Sequence, residues 1–143
     1  MELLVAGSAA RTNADLQVYL MEARATPFEW ADADCCSFAA DWVERRTGHD
    51  PMARWRGKYS TEAEARKYIA DAGGLSMLWL LGMIEVGVPE VDSPRIGDVG
   101  IVTVLGEHGK EEVGGIFGGR RWFVRSTSGI FSASFDPVMV WRV

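Results

Sequence analysis

The residues of this sequence best suited to chemistry are two adjacent cysteines, Cys35 and Cys36, which follow Asp34. An aspartate directly before an apolar segment is typical of a helix N-cap. In the first turn of a helix, unpaired amide hydrogens and the positive end of the helix dipole stabilise a thiolate, the reactive form of cysteine. The charge of Asp34 opposes that effect. Cys35 is therefore the candidate nucleophile, with an inert packed cysteine as the alternative, and Cys36 is expected to pack.

A cysteine nucleophile needs a proton acceptor, and the sequence contains two histidines. His108 lies in a polar turn and is the candidate base, with a solvated turn residue as the alternative reading. His49 follows a predicted helix end at Gly48, far along the chain from the nucleophile, and is expected to have no catalytic role. Two thiols and two distant histidines reproduce no zinc-site spacing, so we predict neither a metal site nor a cofactor.

Composition and charge exclude several classes of protein. The formal net charge is −5, and the basic residues are scattered apart from the pairs Arg45–Arg46 and Arg120–Arg121. Nucleic-acid binding is not expected, because it depends on clustered Lys and Arg. The longest apolar segment, 75–88, is shorter than the roughly 20 residues of a membrane span. The N-terminus does not resemble a signal peptide, so we expect a protein that is cytoplasmic when made.

Helices are predicted in the first two thirds of the chain. Apolar residues recur there at helical spacing, Pro27 interrupts the first pattern, and Thr61 with Glu64 forms a capping-box arrangement. The predicted helices run from Asn13 or Thr12 to about Arg24, from Cys35 to Gly48, from Thr61 to Gly73–Gly74, and from Leu75 to Ile84.

From Pro94 onward the pattern changes to short apolar runs separated by turn residues, which predicts strands. Helices followed by hairpin-linked strands indicate one α+β domain over residues 1–143, with N-terminal helices packed on a C-terminal antiparallel sheet of four to six strands. The glycine pairs Gly114–Gly115 and Gly118–Gly119 are expected to allow bulges and a tight turn. The predicted strands contain Val99, Ile101 and Val104, then 113–117 and 121–125, with one or two more in 129–143; the first turn spans Gly106–Lys110.

Five segments of the sequence carry a resemblance to a known family. They correspond in order to a Phe-x-Trp-Gly-x-x-Asp-Cys motif, a Thr-Gly-x-Asp helix end, a Gly-Lys-Tyr loop, a Gly-Asp-Val strand and a Trp-Arg-Val terminus. Together they resemble the NlpC/P60 superfamily, and more closely a set of phage and prophage tail-associated proteins of that architecture. The resemblance covers about residues 16–143. The matching segments are 28–35, 47–50, 57–59, 97–99 and 141–143.

The resemblance implies a papain-like fold and a cysteine hydrolase that cuts peptide bonds of peptidoglycan. In such enzymes the cysteine attacks, a histidine on the sheet takes its proton, and a third polar group orients the histidine. Here Cys35 matches the nucleophile, but the histidine position holds Glu112 and the third position falls at Arg125. A glutamate beside the thiol weakens the nucleophile through like charge. Trp30 and Asp34 are expected to line the site.

Two functions therefore remain open from the sequence. The first is a phage- or prophage-derived tail-associated protein whose hydrolase activity is weakened or lost, with other tail or tail-tip proteins as partners. The second is an active cysteine peptidase or amidase acting on peptidoglycan peptides, with Cys35 as nucleophile and His108 as base.

Overall fold

Four helices precede five strands in this chain, in a computed structural model that describes residues 2–106 and 109–143, with side chains from residue 7 onward. The strands form one antiparallel sheet. The predicted α+β architecture, with helices first and then an antiparallel sheet, is confirmed at this level. The elements are α1 Glu2–Ala25, α2 Cys35–Thr47, α3 Glu62–Asp71, α4 Leu75–Val86, β1 Val99–Gly106, β2 Gly109–Phe117, β3 Trp122–Ser126, β4 Gly129–Ala133 and β5 Asp136–Trp141.

The first helix is longer than predicted. It begins at Glu2 rather than at Asn13 or Thr12, because residues 3–11 hold several good helix formers and no proline. Thr12 is buried and accepts a hydrogen bond from Arg46 instead of capping a helix. The helix ends at Ala25, two residues before Pro27, as the proline predicts.

The other three helices begin and end close to the predicted residues. Gly48 ends α2 in the left-handed conformation, with φ 81°. The hydroxyl of Thr61 accepts a hydrogen bond from the amide of Glu64 and caps α3. The last helix runs two residues past the predicted end and stops before Gly87, which has φ 84°. Within the described residues no single helix meets the length and hydropathy needed to cross a bilayer; α3 and α4 meet it only together, with a 74° bend between them.

The sheet order is β4-β3-β2-β1-β5, so the last strand of the chain pairs with the first. The hairpin of β1 and β2 is paired from Val99 opposite Ile116 as far as Gly106 opposite Gly109. The predicted turn at Gly106–Lys110 was therefore too long, since β2 already begins at Gly109. Gly114 and Gly115 are in regular register, so the predicted bulge there is wrong; a register shift occurs between β1 and β5 instead.

The glycines of β1 and β2 allow close packing on both faces of the sheet. A Cβ atom at Gly114 would lie 3.2 Å from the Ala39 Cβ and 3.5 Å from the carbonyl oxygen of Cys35. The first turns of α2 thus rest directly on β2. On the opposite face, a Cβ atom at Gly100 would lie 2.7 Å from the Trp122 ring. The indole therefore packs over this part of the sheet, where Gly100 has no side chain.

The core lies mainly between the helices and one face of the sheet, and a smaller cluster covers the other face. Alternation along the strands produces this division, because successive side chains point to opposite faces. The larger cluster includes Phe38, Trp42 and Val43 of α2 with Val99, Ile101 and Ile116 of the sheet. The smaller cluster consists of Val102, Trp122, Val124 and Val140.

Candidate functional site around Cys35

The first turn of α2 opens into a cleft of about 380 Å³, which we call the Cys35 cleft. Cys35 is half-buried there, at the first position of the helix. One wall is apolar and the mouth is charged. The cleft is lined by Trp30, Asp34, Cys35, Cys36, Tyr59, Glu62, Ala65, Arg66, Ile69, Ala70, Leu75, Lys110, Glu111, Glu112 and Val113.

Asp34 holds the start of α2 in place. Its side chain is buried, at 1% exposure, and caps the helix as predicted. One carboxylate oxygen accepts from the amide of Ser37 at 2.8 Å, and the other accepts from the amide of Ala31 at 2.8 Å and from the Tyr59 hydroxyl at 2.6 Å. The Ser37 hydroxyl in turn accepts from the Asp34 amide, which completes a capping box. The carboxylate thus accepts three structural hydrogen bonds.

Tyr59 was not predicted to take part in the site, although its Gly-Lys-Tyr segment was noted as a motif. Burial raises the pKa of its phenol, and the hydrogen bond to Asp34 and the charge of that carboxylate raise it further. The hydroxyl therefore remains a protonated donor to Asp34. It joins the loop before α3 to the first turn of α2.

Cys36 lies beneath Cys35, in the core, in agreement with its predicted packing role. A hydrogen bond with the Cys35 sulfur, burial and the neighbouring negative charges raise the pKa of its thiol. The neighbouring indole N–H of Trp79 acts on the pKa of this thiol in the other direction. Cys36 is therefore a neutral thiol, and of the two cysteines that line the cleft Cys35 is the more exposed.

Glu112 lines the same cleft from β2. It lies two residues before Gly114 on the same face of the strand, and Gly114 is the position that contacts the backbone of Cys35. One carboxylate oxygen accepts a hydrogen bond of 2.8 Å from the hydroxyl of Ser76, near the start of α4. The fold thus brings together the thiol and the residue at the position where the resemblance implies a histidine.

Arg125 does not lie in the Cys35 cleft. Its guanidinium, at 6% exposure, donates to the carbonyl oxygens of Ala23, at 3.0 Å, and of Thr26. It lines a separate cavity of about 180 Å³ that also contains Tyr19 and Asp41. Because the last carbonyl groups of a helix lack intrahelical partners, the arginine stabilises the end of α1. The residue at the third position of the resembling motif therefore lies outside the Cys35 cleft.

Of the two histidines, the structure describes only His49. His49 follows the C-terminal end of α2, and 13 helical residues separate that end from Cys35 by about 20 Å. His108 falls outside the described residues. In the ranges 2–106 and 109–143, no three His, Cys, Asp or Glu residues are grouped so that they could hold a metal ion.

Comparison with known proteins gives one result. The family model described as "Domain of unknown function (DUF6950)" matches residues 9–143. The chain belongs to this family. No curated protein and no solved structure matches it.

Every residue of the Cys35 cleft lies within the part of the chain that matches DUF6950. In this DUF6950 member the cleft combines a half-buried thiol at a helix start with a carboxylate and an apolar wall. Such an arrangement is chemically suited to hold a thiol beside a bound molecule. Hydrolysis also needs a group that accepts the thiol proton, and among the described residues of the cleft no imidazole serves that purpose.

The part that α3 and α4 play at the cleft was not predicted from the sequence of this DUF6950 chain. Ser76 and the apolar residues Ile69 and Leu75 come from α3 and α4, whose approach to β2 depends on tertiary packing. The apolar pattern of the two helices predicts only that they are helices. Trp30, which was expected to line the site, does lie at the cleft, where its ring meets Phe28 edge-on at 4.9 Å.

Proposed function

We propose that this chain is a phage- or prophage-derived tail-associated protein with an NlpC/P60-like fold, in which cysteine-hydrolase activity is weakened or lost. The observation that carries the proposal is that Cys35 and Glu112 line one cleft. The nucleophile position of the resembling enzymes is retained, and the position of their histidine carries a carboxylate.

A carboxylate is a poor substitute for the imidazole. The ordinary pKa of glutamate is about 4.3 and that of a cysteine thiol about 8.5, so proton transfer between free groups of these kinds is uphill by roughly 6 kcal/mol. An imidazole, with a pKa of about 6.5, reduces that difference by half. A negative charge beside the sulfur also opposes formation of the thiolate. Because of both effects, we expect the cleft to bind a ligand but to hydrolyse it slowly or not at all.

The architecture supports the proposed relationship. A helix that begins with the cysteine rests on an antiparallel sheet, and the second strand passes the first turn of that helix at Gly114. This is the relative placement that a papain-like site requires of its nucleophile and its base. The apolar wall and the charged mouth of the Cys35 cleft can still bind a ligand when hydrolysis is weak.

A second candidate is an active cysteine peptidase or amidase with Cys35 as nucleophile and His108 as base. The observation in its favour is the half-buried, cleft-facing position of Cys35. The Ser37 amide is taken by the Asp34 carboxylate, but the amides of Cys35 and Cys36 have no intrahelical acceptor and could serve as oxyanion donors beside the sulfur.

Digestion of purified peptidoglycan separates the two candidates. Soluble peptides released by the protein are quantified by liquid chromatography and mass spectrometry, with Cys35→Ala as the matched control. We expect the unaltered protein to release no more product than Cys35→Ala. Release that disappears in both Cys35→Ala and His108→Ala establishes the second candidate instead.

The tail association is tested separately from the chemistry. Phage particles are produced from a host that carries this gene, purified, and analysed by mass spectrometry after dissociation into heads and tails. We expect the chain in the tail fraction at a fixed ratio to the other tail proteins. Its absence from assembled tails and from tail-assembly intermediates contradicts the structural role, whatever the result of the digestion.

A further inference from the structure

The two edge strands of the sheet are covered to different extents. Beside β5 lies a segment of the same chain: the amide of Val91 donates to the carbonyl oxygen of Val140 at 2.9 Å, and the amide of Arg142 donates to that of Pro89 at 3.0 Å. Within the described residues no segment forms such bonds with the outer side of β4. That strand also contains neither a charged residue nor a proline, which are the usual means of preventing a further strand from adding to an open edge.

The turn between β3 and β4 determines which backbone groups of β4 face outwards. Its loop has two residues, so Ser126 and Gly129 form a hydrogen-bonded pair. Hydrogen-bonded and non-hydrogen-bonded pairs alternate along an antiparallel ladder. The N–H and C=O groups of Ile130 and Ser132 therefore point away from β3, towards the open side of the sheet.

A cavity of about 520 Å³ lies beside the same edge, and we call it the arginine cavity. Arg120 and Arg121 line it, and among the described residues neither has a carboxylate within ion-pairing distance. Guanidinium groups bind a carboxylate through paired N–H···O hydrogen bonds. The arginine cavity is therefore suited to an acidic side chain. Its other lining residues, none of them acidic, are Gly118, Phe123, Ser132 and Ser134.

Ser132 connects the open edge to the arginine cavity. It lies opposite Phe123 in the strand register, and residues directly opposite each other share a face of the sheet. Phe131 precedes it and points to the other face, where its side chain is 47% exposed. A strand added beside β4 would thus direct one side chain towards the arginine cavity and the next one towards the ring of Phe131.

We propose that β4 binds an extended segment of a partner protein by strand addition, and that this segment carries an acidic residue next to an apolar one. The carboxylate binds the two arginines of the cavity, the apolar side chain packs on Phe131, and the backbone bonds to Ile130 and Ser132. A second copy of this chain is a poorer occupant, because its own β4 has no carboxylate to offer. The proposal goes beyond the proposed function and needs neither activity at Cys35 nor a place in the tail.

Titration with a short peptide tests the acidic preference. The probe is acetyl-Ser-Thr-Val-Glu-Val-Thr-Ser-amide, and two-dimensional amide NMR of the ¹⁵N-labelled protein follows binding. We expect the amide signals of Ile130, Phe131 and Ser132 to shift. The peptide with Gln in place of Glu should bind roughly three- to tenfold more weakly, since exposed ion pairs contribute modestly.

Two double variants locate the charge that the peptide recognises. Arg120→Gln with Arg121→Gln should remove the difference between the Glu and Gln peptides. Lys58→Gln with Lys67→Gln, the matched control, removes the same net charge from exposed positions elsewhere and should retain the difference. If the control loses the preference to the same extent, the peptide responds to the overall charge of the protein and the arginine cavity is not its site.

Methylation of the peptide backbone tests strand addition itself. Successive N–H groups of an added strand point alternately towards β4 and away from it. Methylating the Glu nitrogen should therefore abolish binding if the peptide runs antiparallel to β4, and methylating the nitrogen of the next Val should do so if it runs parallel. Loss at one position alone is expected, and equal effects at both contradict strand addition.

The remaining outcomes also decide the proposal. No shift of the β4 signals at any soluble peptide concentration, or equal affinity for the Glu and Gln peptides, overturns it. If the β4 signals of the protein alone change with protein concentration and sedimentation shows a dimer, the edge binds a second copy, and the acidic partner is wrong. None of these results bears on the digestion of peptidoglycan or on the presence of the chain in tails, so the proposed function is tested independently.

Discussion

Ala31 adopts a backbone conformation that glycine reaches more easily. Its φ is 76°, and among the described residues it is the one non-glycine with positive φ. The residue lies in the loop between Trp30 and the cap Asp34, and its amide donates to the Asp34 carboxylate. The resembling motif has glycine at this place. The positive φ at this position therefore explains why the resembling motif has a glycine there.

Replacing Ala31 with glycine should stabilise the protein. Left-handed backbone at alanine costs about 1–2 kcal/mol, and the greater freedom of glycine in the unfolded chain offsets part of this. We expect Ala31→Gly to raise the free energy of unfolding by about 0.5–1 kcal/mol, measured by urea denaturation. Ala33→Gly in the same loop, where φ is negative, should lower it. A decrease for both variants would show that the loop is not strained at Ala31.

Glu112 permits a test of what the missing imidazole costs. We expect Glu112→His to increase the rate of Cys35 alkylation by iodoacetamide at pH 7 by roughly fivefold, since it removes a like charge and adds a proton acceptor. Glu112→Gln, which removes only the charge, should give a smaller increase. Identical rates in the unaltered protein and both variants would mean that residue 112 does not influence the sulfur.

At the level of secondary-structure elements, Arg125 joins the sheet to α1. Its guanidinium binds carbonyl oxygens at the end of that helix, and its Nε–H is buried without an acceptor among the described residues. A buried arginine without a carboxylate partner is costly, and the negative end of the helix dipole compensates part of that cost.

Arg125→Ala should therefore destabilise the fold without a specific effect at the thiol. We expect a loss of about 2–4 kcal/mol in unfolding free energy, because two carbonyl oxygens lose their hydrogen-bond donor and the removed side chain leaves a cavity. Arg125→Lys, which retains the charge and one donor, should lose less. Without denaturant, and at a temperature at which both variants are folded, the rate of Cys35 alkylation should equal that of the unaltered protein. A selective change in that rate contradicts a purely structural role.

At the scale of the whole molecule, local signals predicted the elements and long-range packing did not follow from them. Gly48 and the Thr61–Glu64 pair mark helix ends because caps are formed within one turn. The start of α1 was missed, since several helix-compatible residues precede Thr12 and nothing local marks the boundary. The pairing of β5 with β1 joins residues about 40 positions apart, and no turn signal specifies such a contact.

The candidate site was predictable to a similar extent. The Asp34–Cys35 helix start and the approach of Glu112 followed from motifs in their order along the chain. The hydroxyl of Tyr59 on Asp34 and that of Ser76 on Glu112 depend on the approach of separate elements, and a sequence pattern does not contain that information. Arg125, at the third position of the resembling motif, binds the end of α1 instead, and its motif position alone does not predict that contact.

Two buried phenols give the protein a specific dependence on alkaline pH. Burial raises the pKa of Tyr19, and burial together with Asp34 raises the pKa of Tyr59. In the unfolded chain both phenols ionise near pH ~10. Above that pH the unfolded state loses protons that the folded state keeps, so the unfolded state is favoured as pH rises. The contribution of these groups is fully present below about pH 10 and is lost above it.

We therefore expect the free energy of unfolding to fall above pH ~10, by at most about 1.4 kcal/mol per pH unit for each tyrosine. Urea denaturation at closely spaced pH values measures this slope. Tyr59→Phe should lower stability at neutral pH by about 1–2 kcal/mol, because Asp34 loses a donor, and should also make the alkaline slope shallower. Other groups titrate in this range, but they are common to both proteins, so the difference between the two slopes belongs to Tyr59. Parallel profiles above pH 10 would mean that its hydroxyl does not remain protonated on Asp34 in the folded protein.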